Sequence, residues 1–299
     1  MVVSTAAVSV TAPAPGMAHS RDFRRAVEKW RAAPAEPRER VMSADDGGAD
    51  GVCMTSALKT NAWTYDDFTS GELDPTRWRI MSITGADGER HHYQDRNARV
   101  RTGYGRLELT VNPFTRFHDT DPRQNNAKQM YRSVRRFAVP AAGHLTFEVE
   151  MGVRTHGQIP YDLLDAFGTV NLFDLETGVV LNAAATNDTV YAVVERLVIP
   201  GVTRPHEHYI HRVVLDVPTE PGREHGYAIT YRAETSEVEF RVDGRLAYWT
   251  RLPVPVTGLN AGMALFSARD LSRYARAQRE HGQGATGWWG PWRITTSVR

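Results

Sequence analysis

The sequence predicts an all-β protein, a two-sheet antiparallel sandwich behind a short helical or unstructured N-terminal leader. Three observations carry that prediction. From Trp63 onward apolar and polar residues alternate with period two through one segment after another. Turn pairs separate those segments at short intervals: Asp87-Gly88, Thr177-Gly178, Asn187-Asp188 and Asp243-Gly244. No second helical pattern and no internal repeat interrupts the series.

Taken in order, residues 1–17 are Ala, Val, Thr and Pro without a period and read as a flexible arm. Ser20 can cap a short helix over 20–31, where Phe23, Val27 and Trp30 share one face. The Pro34–Pro37 stretch ends it, and 43–51 is a small, acidic, Gly-rich linker. The expected division is therefore a leader over 1–60 and a sandwich over 61–299. Strands are expected at 106–112, 130–139, 146–151, 170–173, 179–184 and 190–198. Others follow at 210–216, 227–232, 238–242, 262–266 and 292–298. Alternation turns Leu107, Leu109, Val111, Phe147, Val149 and Met151 toward the space between the sheets. Glu108, Asn112, Glu148 and Glu150 then point outward. Where the sheets curve, the concave outer face or its rim loops would hold a ligand.

Composition narrows the function. The 299 residues are 41% hydrophobic and 24% charged with a net charge of +1, which excludes whole-chain disorder, collagen and a disulfide scaffold. Near-neutrality argues against nucleic acid as the partner. Only Lys29, Lys59 and Lys128 are lysines, so 36 − 3 = 33 basic residues are arginines, which reads mainly as a compositional bias. The single cysteine, Cys53, allows neither an intrachain disulfide nor a cysteine-rich zinc site. No apolar run approaches the roughly 18 residues a membrane span needs. Residues 1–18 lack a basic start and a solid apolar core, so the expected location is cytoplasmic. There is no phosphate-binding glycine loop and no Ser-His-Asp elbow, which leaves cofactor-free chemistry on a small molecule.

Several stretches resemble the concanavalin-like jelly roll shared by laminin-G modules, legume-type lectins and laminarinase-type glycoside hydrolases. They are Asp66-Asp67-Phe68 with Leu73 to Trp78, the hairpin from Tyr227 to Arg245 around Val242-Asp243-Gly244, Leu259 to Phe266, and Trp292-Arg293-Ile294. The resemblance implies a jelly roll over residues 63–299. The hydrolases carry Glu-x-Asp-x-Glu on one strand, the first Glu as nucleophile and the last as acid/base. The nearest match, Leu172-Phe173-Asp174-Leu175-Glu176, has Leu172 at the nucleophile position, and Glu176-Thr177-Gly178 reads as the following turn. A narrower resemblance, on Gly168 to Asp174 and Thr186 to Leu197, is to uncharacterised actinobacterial proteins. Some of those look like cytoplasmic cyclases or isomerases of specialised metabolism.

The block 161–195 concentrates polar groups inside apolar strands: Asn171, Asp174 and Asn182. Alternation puts Tyr191 and Glu195 on one face and Arg196 on the other, so one charge meets an apolar layer, a pocket or a cross-strand partner. The expected function is a cofactor-independent cyclase or isomerase of a hydrophobic intermediate, using Glu195 or Asp174 as acid/base with Tyr191 or Tyr161 assisting. Asn171, Asn182, Arg196, Asp162, Trp249 and Tyr93 are the expected substrate contacts, Tyr161 and Asp162 lying in a loop over the strand ends. The histidines 206, 208 and 211 do not share one strand face, so no metal and no cofactor is expected. The alternatives are a carbohydrate-binding module and a diverged glycosidase without its nucleophile.

Overall fold

Nineteen strands and one 3-10 turn make up the described residues of the computed structural model, which are 59–85, 88–115, 126–268 and 283–298. The expected leader helix at 20–31 lies outside them. In chain order the strands are β1 (Lys59–Asp66), β2 (Trp78–Ile80), β3 (Ser82–Thr84), β4 (Arg90–His92) and β5 (Ala98–Gly103). Next come β6 (Arg106–Val111), β7 (Ala127–Ser133), β8 (Phe137–Ala138), β9 (Gly143–His156) and β10 (Phe167–Asp174). Then follow β11 (Val179–Ala185), β12 (Val190–Arg196), the 3-10 turn Pro205–Glu207, β13 (Tyr209–Val214) and β14 (Glu224–Arg232). The last are β15 (Glu237–Val242), β16 (Arg245–Arg251), β17 (Gly258–Ser267), β18 (Gly284–Trp289) and β19 (Trp292–Val298).

All pairings are antiparallel. One sheet of nine strands runs β16-β15-β14-β9-β18-β6-β5, with β19 joining β9 and β1 joining β19. The other, of eight, runs β13-β12-β11-β10-β17-β7-β2, with β8 attached to β17. A separate hairpin pairs β3 with β4. The two-sheet antiparallel sandwich expected from the alternation, and the jelly roll that the resemblance implies, are the fold observed. Leu107, Leu109, Val111, Phe147, Val149 and Met151 are buried in the core between the sheets, and Asn112, Glu148 and Glu150 are exposed.

Some expectations need correcting. The strand expected at 130–139 is two, β7 and β8, because side-chain donors replace the ladder at the bend: Asn260 Nδ2 donates to the carbonyls of Ser133 and Arg135. Trp288 and Trp289 end β18, and Trp289 is buried with its indole N–H donating to Thr169 O at 3.2 Å. Gly287 makes room for it, since a Cβ there would lie 2.4 Å from the Trp289 ring.

The opening and closing stretches behind the family resemblance meet at one corner. Buried Asp66 accepts from Phe68 N at 2.9 Å and from Trp78 Nε1 at 2.8 Å, with the Arg77 guanidinium 3.4 Å away. Trp78 in turn stacks on Phe68 and tilts against Trp292, joining the start of the sandwich to its closing strand. Removing the carboxylate strands a buried indole N–H, so Asp66→Ala should cost about 2–4 kcal/mol in chemical denaturation. A change below about 0.5 kcal/mol would show that the corner does not depend on this acceptor.

Candidate functional site

The central strands of the eight-stranded sheet are buried on both faces. Val170, Leu172, Val179, Leu181, Ala183, Val190, Ala192 and Val194 pack inward against the other sheet. Their neighbours in sequence point the opposite way and are also covered. Register then builds one transverse row on the outward face. Arg79 pairs with Arg132, Arg132 with Gly262, Gly262 with Asn171, Asn171 with Asn182, Asn182 with Val193, and Val193 with Arg212. At about 4.8 Å per strand, Arg132 and Arg212 stand about 24 Å apart with the two amides between them.

Apolar clusters lie to either side of this row. On one side Tyr93, Met81 and Met130 gather on Phe173 and Val180. Met81 N donates to Met130 O and Met130 N to Tyr93 O, each at 2.9 Å, which anchors the β3–β4 excursion to β7. On the other side Phe167, Tyr191 and Val193 pack with Leu163 and Ile210. The 157–166 loop is tied there by Tyr191 OH donating to Leu163 O at 3.0 Å and Ala268 N donating to Leu164 O at 2.8 Å. Burial pushes the Tyr191 phenol well above its ordinary range, against a smaller opposing pull from Arg212, so it holds its proton near neutral pH.

Between the clusters Asn171 donates to Thr169 Oγ1. Asn182 is only 9% exposed, and its Oδ1 is buried without a hydrogen-bond partner among the described residues. A native interior satisfies nearly all such atoms, so an orphan acceptor in the centre of a sheet calls for a ligand donor or a water.

The structure gathers four of the expected site residues on this face with Tyr93: Asn171, Asn182, Tyr191 and Glu195. It does not gather the others. Asp174 shares parity with Leu172 and lies on the inward side at the end of β10. There it caps the turn, accepting from Thr177 Oγ1 at 2.9 Å and pairing with Arg136 at 3.1 Å. Arg196 is also on the inward side, where it donates to Thr177 O and Glu207 Oε1. Glu195 stands at the end of the face, four residues along β12 from Tyr191, with His208 Nε2 at 3.5 Å. Tyr161 is exposed at left-handed φ in the loop, its N–H on Asp188 Oδ2. Asp162 Oδ1 takes Leu164 N in the same loop. Trp249 is exposed on the opposite outer surface, on the edge strand β16 of the nine-stranded sheet. The four expected catalytic groups therefore do not converge.

Three further residues of this face escaped the sequence reading: Lys128, Arg132 and Arg212. Lys128 is buried, its Nζ 4.0 Å above the Tyr93 ring. The available signal was its identity, a lysine kept among 33 arginines on a strand where Lys128, Met130 and Arg132 alternate to one side.

The hydrolase motif fails on geometry as well as on identity. Leu172 is sealed in the core, and Glu176 is in the turn, held by Arg136 at 2.8 Å. Among the described residues, Glu195 is the only carboxylate on the outward face of the eight-stranded sheet. No group of three or more His, Cys, Asp or Glu side chains among them is placed to hold a metal ion. Two surface recesses lie elsewhere. One, of about 90 Å³, adjoins Tyr104, Glu150 and Trp288. The other, about 460 Å³ and open, runs between β2 and β5 beside Leu73, Trp78 and Val100. Neither reaches Asn171 or Asn182.

A family model described as a family of unknown function, DUF6081, matches residues 65–298. The chain belongs to this family. No curated protein matches this DUF6081 member. Among solved structures it is similar to the endo-1,3-beta-glucanase from Streptomyces sioyaensis, with 13% identity and a TM-score of 0.51 over 85% of this chain and 99% of that one. It is also similar to porphyranase B from Zobellia galactanivorans, with 12% identity and a TM-score of 0.50 over 79% and 94%. At such identities the likeness shows the concanavalin-like jelly roll alone. No helix among the described residues is long and apolar enough to cross a membrane.

If Asn182 serves a ligand rather than the fold, Asn182→Leu should leave stability within about 1 kcal/mol of wild type or raise it, because an unsatisfied acceptor disappears at similar volume. Asp174→Ala, which strips a fully used turn cap, should instead cost about 2–3 kcal/mol. Thermal or urea unfolding of the two variants checks this, and a larger loss for Asn182→Leu than for Asp174→Ala would contradict it.

Proposed function

We propose that this DUF6081 protein binds a saccharide on the outward face of its eight-stranded sheet and does not cleave it by the two-carboxylate mechanism. The observation that carries the reading is the buried Asn182 Oδ1, an acceptor without a partner among the described residues, beside the amide of Asn171. A sugar hydroxyl is the natural donor to such an oxygen, and the Tyr93 and Phe167 clusters offer apolar walls for the C–H faces of a ring. Hydrolysis with retention or inversion needs two carboxyl groups flanking one glycosidic bond. Glu195 alone, at the end of β12, does not make such a pair.

The cyclase or isomerase reading finds less support. It needs an acid and a base converging in one apolar pocket, whereas Asp174 and Glu195 occupy opposite sides of the sheet. The actinobacterial kinship belongs to that reading and stands as an expectation with it, as does the cytoplasmic location read from residues 1–18.

Isothermal titration against a panel of oligosaccharides, with a parallel assay for newly released reducing ends, tests the proposal. At least one oligosaccharide should bind one to one. Asn182→Ala should weaken it about tenfold or more at unchanged stability, and no reducing ends should appear. Binding by no member of the panel, or equal binding by Asn182→Ala, would contradict the assignment.

A further inference from the structure

The transverse row that holds the two amides is cationic at both ends. Arg132, two strands from Asn171, and Arg212, two strands from Asn182, project from the same face, and Arg79 extends the row past Arg132. Among the described residues, those three arginines share the strands of this face with one carboxylate, Glu195. The row that holds the orphan acceptor is therefore flanked by guanidinium groups on both sides.

We infer that the ligand of this face is an acidic saccharide, one bearing carboxylate or sulfate groups, with Arg132 and Arg212 meeting its anions while Asn182 Oδ1 takes a hydroxyl. The inference rests on the saccharide reading of the same face and names the class of sugar. Guanidinium groups are suited to both anions because their paired N–H donors match the two oxygens of a carboxylate or sulfate. A neutral ligand would gain nothing from the arginines.

The discriminating experiment titrates the full chain with three oligosaccharides of matched length: a neutral glucan, an oligogalacturonate and a sulfated galactan. At least one acidic ligand should bind about tenfold or more tighter than the glucan, and its affinity should fall as salt is raised from low to physiological strength. Arg132→Gln and Arg212→Gln should each erase most of that preference. The salt dependence of the unmodified protein serves as a second readout should either variant fold poorly. Which acidic ligand binds better assigns the anion as carboxylate or sulfate. Equal or tighter binding of the glucan, still sensitive to Asn182→Ala, would overturn the acidic assignment and leave the saccharide reading standing. No binding of any of the three would overturn both.

Discussion

A strand pair covered on both sides has no wet face to which a misplaced polar group could be consigned, and β10–β11 is such a pair. Its register, Asn171 opposite Asn182 with Leu172 opposite Leu181, puts both amides outward and both leucines into the core. A slip of one residue would send the amides between the sheets and the leucines out. Leu172, Leu181, Val190 and Leu265 on the inner face all enforce the observed alignment through the burial they would lose. The site thus depends on the core, since the same residues that hold the sheets together dictate which polar side chains emerge and in what row.

That dependence explains what could be read from the chain. In β6 and β9 the alternation is explicit, because Glu108, Glu148 and Glu150 mark the outward face between Leu107, Phe147 and Val149. The core positions there were legible. In β10 to β12 both faces are apolar, so the strands read as continuous hydrophobic runs and the polar interruptions stood out while their direction did not. Asn171 and Asp174 looked alike as interruptions. Parity separates them: Asp174 falls in step with Leu172 and caps a turn, whereas Asn171 falls in step with Phe173 and faces outward. The short strands β2, β3 and β4 carry too few residues to show a period at all. Arg132 and Arg212 were hidden for a different reason, since in a chain with 33 arginines one more on a strand carries little information.

The fold supplies a platform and says little about chemistry, because the concanavalin-like sandwich supports binders and enzymes alike. The distinguishing features of this chain are local: two facing amides, one of them with an unused acceptor, cations at either end of their row, and a shortage of carboxylates. An acidic residue at Leu172 would still not create a cleaving site, since that position points into the core and not toward the ligand face. The carboxylates closest in sequence, Asp174 and Glu176, are engaged by Arg136 and the turn. The face can therefore hold and orient polar groups, and the one acid on its strands among the described residues, Glu195, stands at the periphery beside His208.

A crystal structure of the protein with a bound oligosaccharide tests the central claim most directly. The account predicts sugar density across the outward face of β10, β11 and β12, with a hydroxyl within about 3 Å of Asn182 Oδ1. Density on the other outer surface, at Trp249 or in the recess beside Trp288, with Asn182 untouched, would contradict it.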